Sequence, residues 1–441
     1  MKTLATAVAV VGLCIAVTAQ DRQRVFPFAY DTVELKYGFG AYLVTAPTPG
    51  QIAVVSFARV GARDEVDPGK SGFAHFFEHM MFSGTRRYPD YDGETTKMGA
   101  FRNASTSTDS TQYYIVANTE YLEKILDIES DRFQHLTYDE PRFKTEAGAV
   151  LGEQQQGALD PARWLDERVR AAVFRQHPYG HPVIGLEEDV RAMPQAYEYS
   201  KAFFERFYRP ENVALVIAGD FDRARARELV TRSYADWKPG FKAPPVPAEP
   251  AQTAPREVTV TYPGRTLPIV SVNYRAPAWD PRDRTGAALT VLGELAFGPN
   301  SDLYRRLVLQ ERRVQALDQS FALNRDPFLV SVAATVSNPA EAKAIAAQIL
   351  ETVRRFRDTP VDPGRLASTT RHLRYGFAMS LETAQQIAFA ARQSIVSTGR
   401  LESLEEYYAT LAAVTPEDVR NAARTWLTDN SRTIVTMVQG Q

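Results

Sequence analysis

Three residues of the segment GFAHFFEHMMFSGT (72–85) have the types and spacing that metal-assisted hydrolysis needs: His75, Glu78 and His79. The segment is apolar and has no proline or β-branched residue before Thr85, which predicts a helix over 71–82. Residues four apart lie one turn apart on the same face of a helix, so both imidazoles project together. Two imidazoles at that separation suit Zn²⁺, and Glu78 can accept a proton from a water molecule without itself binding the metal.

The H-x-x-E-H pattern is specific enough to support a prediction. With six histidines in 441 residues, it arises by chance in roughly one chain in two hundred. The alternative is a core helix that carries two structural histidines and a glutamate. Burying those three polar side chains on one helix without a metal is costly, which favours the metal site.

A third ligand must come from elsewhere, because a catalytic zinc ion has three protein ligands and one open position. The segment PRFKTEAGAVLGEQQQG (141–157) predicts a second helix, with a proline in its first turn and a glycine at its end. Glu146 and Glu153 are seven residues apart and therefore share a face. Either could bind the metal while the other hydrogen-bonds a ligand histidine, and the spacing leaves this choice open.

A proline-rich stretch divides the chain into two parts of similar length. Residues 238–257 read KPGFKAPPVPAEPAQTAPRE, with six prolines and few bulky apolar residues. Proline at this density prevents helix formation and removes backbone donors for sheet pairing, so the stretch predicts a spacer. The predicted division is a first lobe at 20–237, a linker at 238–256 and a second lobe at 257–441.

Both lobes have the same order of patterns, which indicates duplication of one α+β unit. The first lobe begins with a predicted hairpin and a β-rich run, and the second begins with two β-rich runs. An apolar strand pattern recurs late in both lobes. Helical periodicity lies between them, over 120–133 in the first lobe and over 285–296 and 339–357 in the second.

The first nineteen residues predict a cleaved signal peptide, so the protein is expected to be periplasmic or secreted. Lys2 precedes an uncharged apolar run from Leu4 to Val17, and Ala19 supplies a small residue for the peptidase. An uncleaved anchor is the alternative, although the run is short for a membrane span. Cleavage also removes Cys14, the only cysteine, which excludes disulfides, thiolate catalysis and cysteine-bound zinc. No later stretch predicts membrane contact.

Charge does not indicate a nucleic-acid partner. The chain has 51 basic and 53 acidic residues, and the basic residues are scattered rather than gathered in a stripe with aromatic residues. Loss of Lys2 with the signal peptide changes the formal charge from −2 to −3.

The motif and the two downstream glutamates resemble the M16 family of zinc peptidases, which includes pitrilysin, insulin-degrading enzyme and mitochondrial processing peptidase. Four further stretches resemble other family segments, namely 99–114, 177–190, 207–222 and 303–314. The resemblance is specific in the first lobe and looser in the second. The length of the chain is similar to that of the small two-lobe members.

The resemblance implies one Zn²⁺ per chain, bound by His75, His79 and Glu153. It makes Glu78 the general base and Glu146 the carboxylate that supports a ligand histidine. Because such peptidases bind their substrates extended, the peptide is expected to join a sheet edge near Asn103, Ala104, Ser105 and Thr106.

For the fold, the resemblance implies two homologous α/β-sandwich lobes in a clamshell-like arrangement. Each lobe is expected to have a mixed or antiparallel sheet with helices on one face. The implied function is that of an endopeptidase acting on peptides or unfolded segments in an enclosed chamber. A non-catalytic subunit that binds substrate or has a structural role is the alternative.

One departure from the family pattern predicts a partner. Active members carry an arginine and a tyrosine, seven residues apart in the second lobe, that hold the scissile carbonyl. Val308 and Gln315 occupy those positions here, and no tyrosine follows the nearby Arg312 and Arg313. The expectation is a heterodimer in which a related subunit supplies the arginine and tyrosine, or else a homodimer.

Overall fold

The computed structural model describes residues 24–321 and 323–440, and the predicted signal peptide at 1–19 lies outside these ranges. The described chain forms two mixed β-sheets with helices packed on them. No helix within the described ranges is both long enough and apolar enough to cross a membrane.

The first lobe contains a six-stranded sheet of order β1-β2-β6-β3-β5-β4. Its strands are β1 (Ala29–Glu34), β2 (Gly40–Thr45), β3 (Gln51–Ala58), β4 (Phe101–Thr106), β5 (Thr111–Asn118) and β6 (Val213–Gly219). Its helices are α1 (Phe73–Met80), α2 (Tyr91–Lys97), α3 (Leu122–His135), α4 (Glu140–Gly157), α5 (Pro161–Val173), α6 (Glu187–Ala192), α7 (Tyr197–Phe207) and α8 (Arg223–Tyr234). β4 is an edge strand, as the predicted mode of peptide binding requires.

The second lobe contains a five-stranded sheet of order β7-β11-β8-β10-β9. Its strands are β7 (Arg256–Tyr262), β8 (Ile269–Arg275), β9 (Val314–Ser320), β10 (Leu329–Val336) and β11 (Arg432–Gln439). Its helices are α9 (Arg284–Phe297), α10 (Asp302–Tyr304), α11 (Ala342–Asp358), α12 (Pro363–Met379), α13 (Ala384–Ala390), α14 (Arg392–Thr398), α15 (Ser403–Ala412) and α16 (Pro416–Trp426).

The two sheets confirm that the lobes are copies of one α+β unit. The order β2-β6-β3-β5-β4 in the first sheet corresponds strand by strand to β7-β11-β8-β10-β9 in the second. In both, the first pair of strands is parallel and the following pairs are antiparallel. The first sheet has one additional strand, β1, which forms the predicted hairpin with β2.

The helix that carries the histidines is shorter than the predicted 71–82. It begins after Gly72, whose φ of +94° lies in the left-handed region. A side chain there would also meet the carbonyl oxygen of Ile184 at 2.5 Å, so the position requires glycine. Ser71 does not cap the helix, because its hydroxyl instead donates to Asp189 and accepts from the backbone of Leu186.

Each sheet is covered on its second face by helices from the other lobe. α13 and α14 of the second lobe pack their apolar residues on β3 and β6, and α5 of the first lobe packs on β7 and β11. This exchange of helices explains why β3 and β6 are buried on both faces and read as continuous apolar runs. The lobes therefore share two apolar interfaces in addition to the linker.

Truncation of Ile387 on α13 tests how much the packing of second-lobe helices on the first sheet contributes to the free energy of unfolding. Its side chain is 1% exposed and packs on the first sheet. We expect Ile387→Ala to lower the free energy of unfolding by about 2–5 kcal/mol, measured by urea denaturation. Met379→Ala, at a position that is 69% exposed on the neighbouring α12, should change it by no more than about 0.5 kcal/mol. Equal effects of the two substitutions would contradict the packing described.

The proline-rich stretch is extended, and it is attached to the first lobe rather than free. No helix or strand is found between Tyr234 and Arg256. The Glu249 carboxylate accepts hydrogen bonds from the backbone nitrogens of residues 175–177, and the carbonyl of Lys242 accepts one from Arg206. The spacer is therefore held on the protein surface.

Candidate metal centre

α1 is fixed in the first lobe by an aromatic face. Phe73, Phe76 and Phe77 are buried, and the ring of Phe77 stacks on Phe203 with 5.3 Å between centroids. Phe76 meets Phe143 of α4 edge to face at 5.0 Å. With these residues directed into the core, the other face of α1 presents its imidazoles and its glutamate to a cleft.

Both ends of α1 are held by buried hydrogen bonds. At its start, the carboxylate of Glu65 accepts from the backbone nitrogens of Gly72 and Ala74 at 2.8 and 2.6 Å. Burial raises the pKa of Glu65 to about 8, and these two hydrogen bonds oppose that rise. Near its end, the hydroxyl of Tyr113 donates to the carbonyl of Phe77 at 3.1 Å. Contacts within the protein therefore hold α1 at both ends.

α4 brings both predicted glutamates to the imidazoles, at different places. Oε2 of Glu153 lies 3.5 Å from Nε2 of His75 and 3.5 Å from Nε2 of His79. Oε2 of Glu146 instead lies 3.8 Å from Nδ1 of His79, on the other side of the ring. Glu153 thus faces the point where the imidazoles converge, whereas Glu146 lies behind one of them.

The convergence of His75, His79 and Glu153 fits a metal ion. One donor atom from each of these residues lies within 4.8 Å of the other two. Donor atoms bound to tetrahedral zinc at its usual bond lengths are about 3.3–3.4 Å apart. This is close to the 3.5 Å between Oε2 of Glu153 and Nε2 of each histidine. Two imidazoles and one carboxylate, with a cleft beside them, form the donor set of a catalytic zinc site.

The electrostatics of the two histidines differ because only one has a carboxylate behind it. Burial lowers the pKa of His75 to about 4, so its ring is neutral at neutral pH and its lone pair is available to a metal. Glu146 raises the pKa of His79, and His79 in turn lowers the pKa of Glu146. A carboxylate in this position orients the imidazole and increases its basicity as a ligand.

Glu78 lies next to the three donors and is held by the edge strand. The hydroxyl of Thr106, at the end of β4, donates to Oε2 of Glu78 at 2.7 Å. Burial raises the pKa of Glu78, and this hydrogen bond opposes the rise. A partly buried carboxylate with a raised pKa is suited to accept a proton and release it again.

Removal of the Thr106 hydroxyl should change the pH dependence of hydrolysis. A hydrogen bond donated to a carboxylate favours its ionised form, so Thr106→Val should raise the pKa of Glu78 further. Because the base must be ionised to act, we expect the acid limb of the kcat/KM profile to move to higher pH. Thr106→Ser, which keeps a hydroxyl, should leave the limb in place. A shift in the opposite direction with valine would contradict this role.

The other predicted substrate residues lie along β4 but differ in what they present. Ser105 and Thr106 line the cleft. Ala104 is 6% exposed and directs its methyl group into the core, so only its backbone could meet a peptide. Asn103 is exposed, and its side-chain oxygen accepts a hydrogen bond from the backbone nitrogen of Ala104 at 2.9 Å.

The cleft contains residues that sequence reasoning missed. It has a volume of about 530 Å³ and includes Arg163 and Trp164 of α5 and the loop at 182–184. A guanidinium nitrogen of Arg163 lies 3.9 Å from Oε1 of Glu153, the oxygen that faces away from the imidazoles. The signal that could have indicated α5 is its short connection to α4, which places its first turn close to Glu153.

The second-lobe positions that depart from the family pattern are not among the residues that line this cleft in the described ranges. Val308 packs against the core of the second lobe, and Gln315 lies on β9. Arg313 is paired with Glu341 at 2.7 Å.

Comparison with known proteins gives matches over most of the chain. The family model described as insulinase (peptidase family M16) matches residues 46–187, and the model described as peptidase M16 inactive domain matches residues 196–372. The zinc protease PqqE of Helicobacter pylori is 26% identical over 419 residues, with 92% of each chain covered.

Solved structures show the same fold. A protease from Helicobacter pylori superposes with a TM-score of 0.85 at 24% identity, covering 93% of this chain and all of the other. The periplasmic protease PqqL from Escherichia coli superposes with a TM-score of 0.75 at 18% identity, covering 93% of this chain and 47% of that one. These likenesses confirm the two-lobe architecture predicted from the sequence.

Proposed function

Since this chain belongs to the M16 family of zinc peptidases, we propose that it is an endopeptidase that hydrolyses peptides or unfolded segments with one zinc ion per chain. The proposal rests on the convergence of His75, His79 and Glu153, in which Oε2 of Glu153 lies 3.5 Å from Nε2 of each histidine. Glu78 lines the same cleft. These three residues would hold the metal. Zinc, when bound, would supply the Lewis acidity that activates water and polarises the scissile carbonyl.

The residues of this chain have distinct parts in the proposed reaction. Glu78 accepts the proton of the attacking water and passes it to the leaving amine. Thr106 holds the carboxylate of Glu78 in place, and Glu146 orients the ring of His79. The free edge of β4, from Asn103 to Thr106, receives the substrate as an added strand, which explains a preference for extended or unfolded segments.

The proposal includes a second subunit because, among the described residues, no arginine or tyrosine of the second lobe lines the cleft. Loss of one oxyanion donor typically lowers kcat by about 10²–10³-fold. A related M16-like chain could supply the arginine and tyrosine that Val308 and Gln315 replace, and a homodimer is the other possible arrangement. Either assembly would enclose the cleft in a chamber.

We also propose that the chain is divided into two lobes by a linker and that it is exported. The division into 20–237, 238–256 and 257–441 is supported by two sheets that lie on either side of the proline-rich stretch. Export to the periplasm or the medium is supported by the pattern of residues 1–19. A subunit without catalytic activity is the second candidate function, favoured by the replacements at Val308 and Gln315.

Hydrolysis of a quenched, unstructured peptide tests the proposal. The purified protein is assayed with zinc, alone and together with an M16-like chain encoded beside it. Hydrolysis by the chain alone would establish a self-sufficient peptidase and contradict the partner. Hydrolysis only with the second chain would support a divided active site. No hydrolysis in either assay, with zinc still bound, would contradict the peptidase and support the non-catalytic subunit.

A further inference from the structure

A cluster of buried and half-buried polar side chains joins the two lobes. The second lobe contributes Asn324, Arg325 and Asp326, from the connection between β9 and β10, which we call the clamp loop. The first lobe contributes residues from three separate segments, namely Arg63 and Asp64, Thr108 and Asp109, and His177 and Tyr179. The metal ligands and Glu78 do not belong to this cluster.

The clamp loop binds the turn that follows β4. Nδ2 of Asn324 donates to the hydroxyl of Thr108 at 2.9 Å, and the backbone nitrogen of Arg325 donates to Asp109 at 2.9 Å. The hydroxyl of Tyr179 connects the two lobes, since it donates to Asp109 and accepts from the backbone nitrogen of Asp326. This turn begins directly after Thr106, the residue that binds Glu78.

The clamp loop also binds the segment that anchors α1. Nε of Arg63 donates to Asp326 at 2.6 Å, and a guanidinium nitrogen of Arg325 lies 3.8 Å from Asp64. The next residue in the chain is Glu65, whose carboxylate holds the first turn of α1. The loop therefore touches both segments that fix α1 and its glutamate.

The carboxylates of the cluster are buried in the first lobe, whereas Arg63 and the charged groups of the clamp loop are half-buried. The side chains of Asp64 and Asp109 are 3% and 8% exposed. Asp326 receives hydrogen bonds from Arg63 and from Nε2 of His177 at 3.1 Å, and these outweigh the effect of burial and lower its pKa to about 2. Separating Arg63 from Asp326 would take a charged partner away from two half-buried groups, which opposes displacement of the clamp loop.

We propose that the clamp loop is a positioning element for the active site: through the turn after β4 and through Glu65, it holds Glu78 and α1 in the geometry for catalysis. The inference rests on the proposed peptidase function. It gives the second lobe, whose residues up to 372 match the inactive-domain model, a part in catalysis that does not require contact with substrate. Packing of the lobes alone is the alternative, and it predicts effects on stability without an effect on turnover.

Asp326→Asn tests the inference, because it keeps the shape of the side chain and removes the charge that pairs with Arg63. Asn324→Ala, which removes one neutral hydrogen bond to Thr108, is the milder second variant. Tyr42→Phe is the matched control, since it removes a hydrogen bond from β2 to the carbonyl of Gly399 in the second lobe, four strand positions from β4. Each variant is assayed for kcat, KM and bound zinc, and for amide hydrogen exchange.

We expect Asp326→Asn to lower kcat about tenfold to a hundredfold with KM and bound zinc unchanged, since small misplacements of reacting groups cost about that much. Amide exchange should rise in α1 and over 101–111, to a smaller extent in Asn324→Ala and not in the control. Turnover within twofold of wild type, with faster exchange confined to 324–328, would overturn the inference. If the wild-type protein hydrolyses nothing, either alone or together with the second chain, the peptidase proposal fails, and the exchange in α1 still decides whether the loop positions it.

Discussion

Replacement of Glu78 with glutamine is expected to lower kcat by about 10²–10⁴-fold, the usual contribution of a general base. Glutamine has nearly the same shape as glutamate and can still accept a hydrogen bond from Thr106, so the structure around it should be kept. It cannot take a proton from water at neutral pH. Because Glu78 is not among the three converging donors, the variant should still bind one zinc ion per chain.

The matched control for this substitution is Glu167→Gln. Glu167 also lines the cleft, but it lies on α5 and pairs with its neighbour Arg168 at 3.0 Å. We expect its replacement to leave kcat within a few-fold of wild type. Steady-state assays with metal content measured on the same samples separate the two effects. Retained turnover in Glu78→Gln, or an equal loss in Glu167→Gln, would contradict the role of Glu78.

The second large effect is expected from the two glutamates of α4, which spacing alone cannot tell apart. Glu153→Gln should abolish both zinc binding and hydrolysis at ordinary zinc concentrations, because it removes a charged donor from a set of three. Glu146→Gln should reduce metal affinity or activity by only about 10–100-fold, as expected for a group that supports a ligand. The reason is geometric, since Glu153 faces both Nε2 atoms and Glu146 faces Nδ1 of His79.

Zinc affinity measured by competition with a chelator, together with hydrolysis, distinguishes the two variants. Added zinc should restore activity to Glu146→Gln and not to Glu153→Gln. The reverse order of effects would assign the ligand role to Glu146 and contradict the structure described above.

Local patterns were sufficient to predict the elements that carry the site. α1 and α4 have unbroken periodicity with glycine or proline near their ends, and the spacing of four and seven residues fixes which side chains share a face. The duplication was also predictable, because both lobes repeat the same order of strand and helix patterns. α1 begins later than predicted, since Gly72 requires a left-handed conformation that the apolar pattern does not reveal.

Contacts between distant segments could not be predicted in the same way. The bond between Thr106 and Glu78 joins residues 28 positions apart, and the bond from Asn324 to Thr108 spans 216. The exchange of helices between the lobes was missed because an apolar helix face in the sequence does not show which sheet the helix packs against. The choice between Glu146 and Glu153 depends on how α4 approaches α1, which is decided by the packing of Phe143 on Phe76.

We propose that hydrolysis depends on one metal ion held by His75, His79 and Glu153. The most direct measurement is a titration of metal-free protein with zinc, in the presence of its partner chain if one is required, with bound zinc and peptide hydrolysis read from the same samples. We expect hydrolysis to rise in proportion to bound zinc and to stop rising at one ion per chain. Hydrolysis by the metal-free protein that does not change as zinc is added would contradict this proposal.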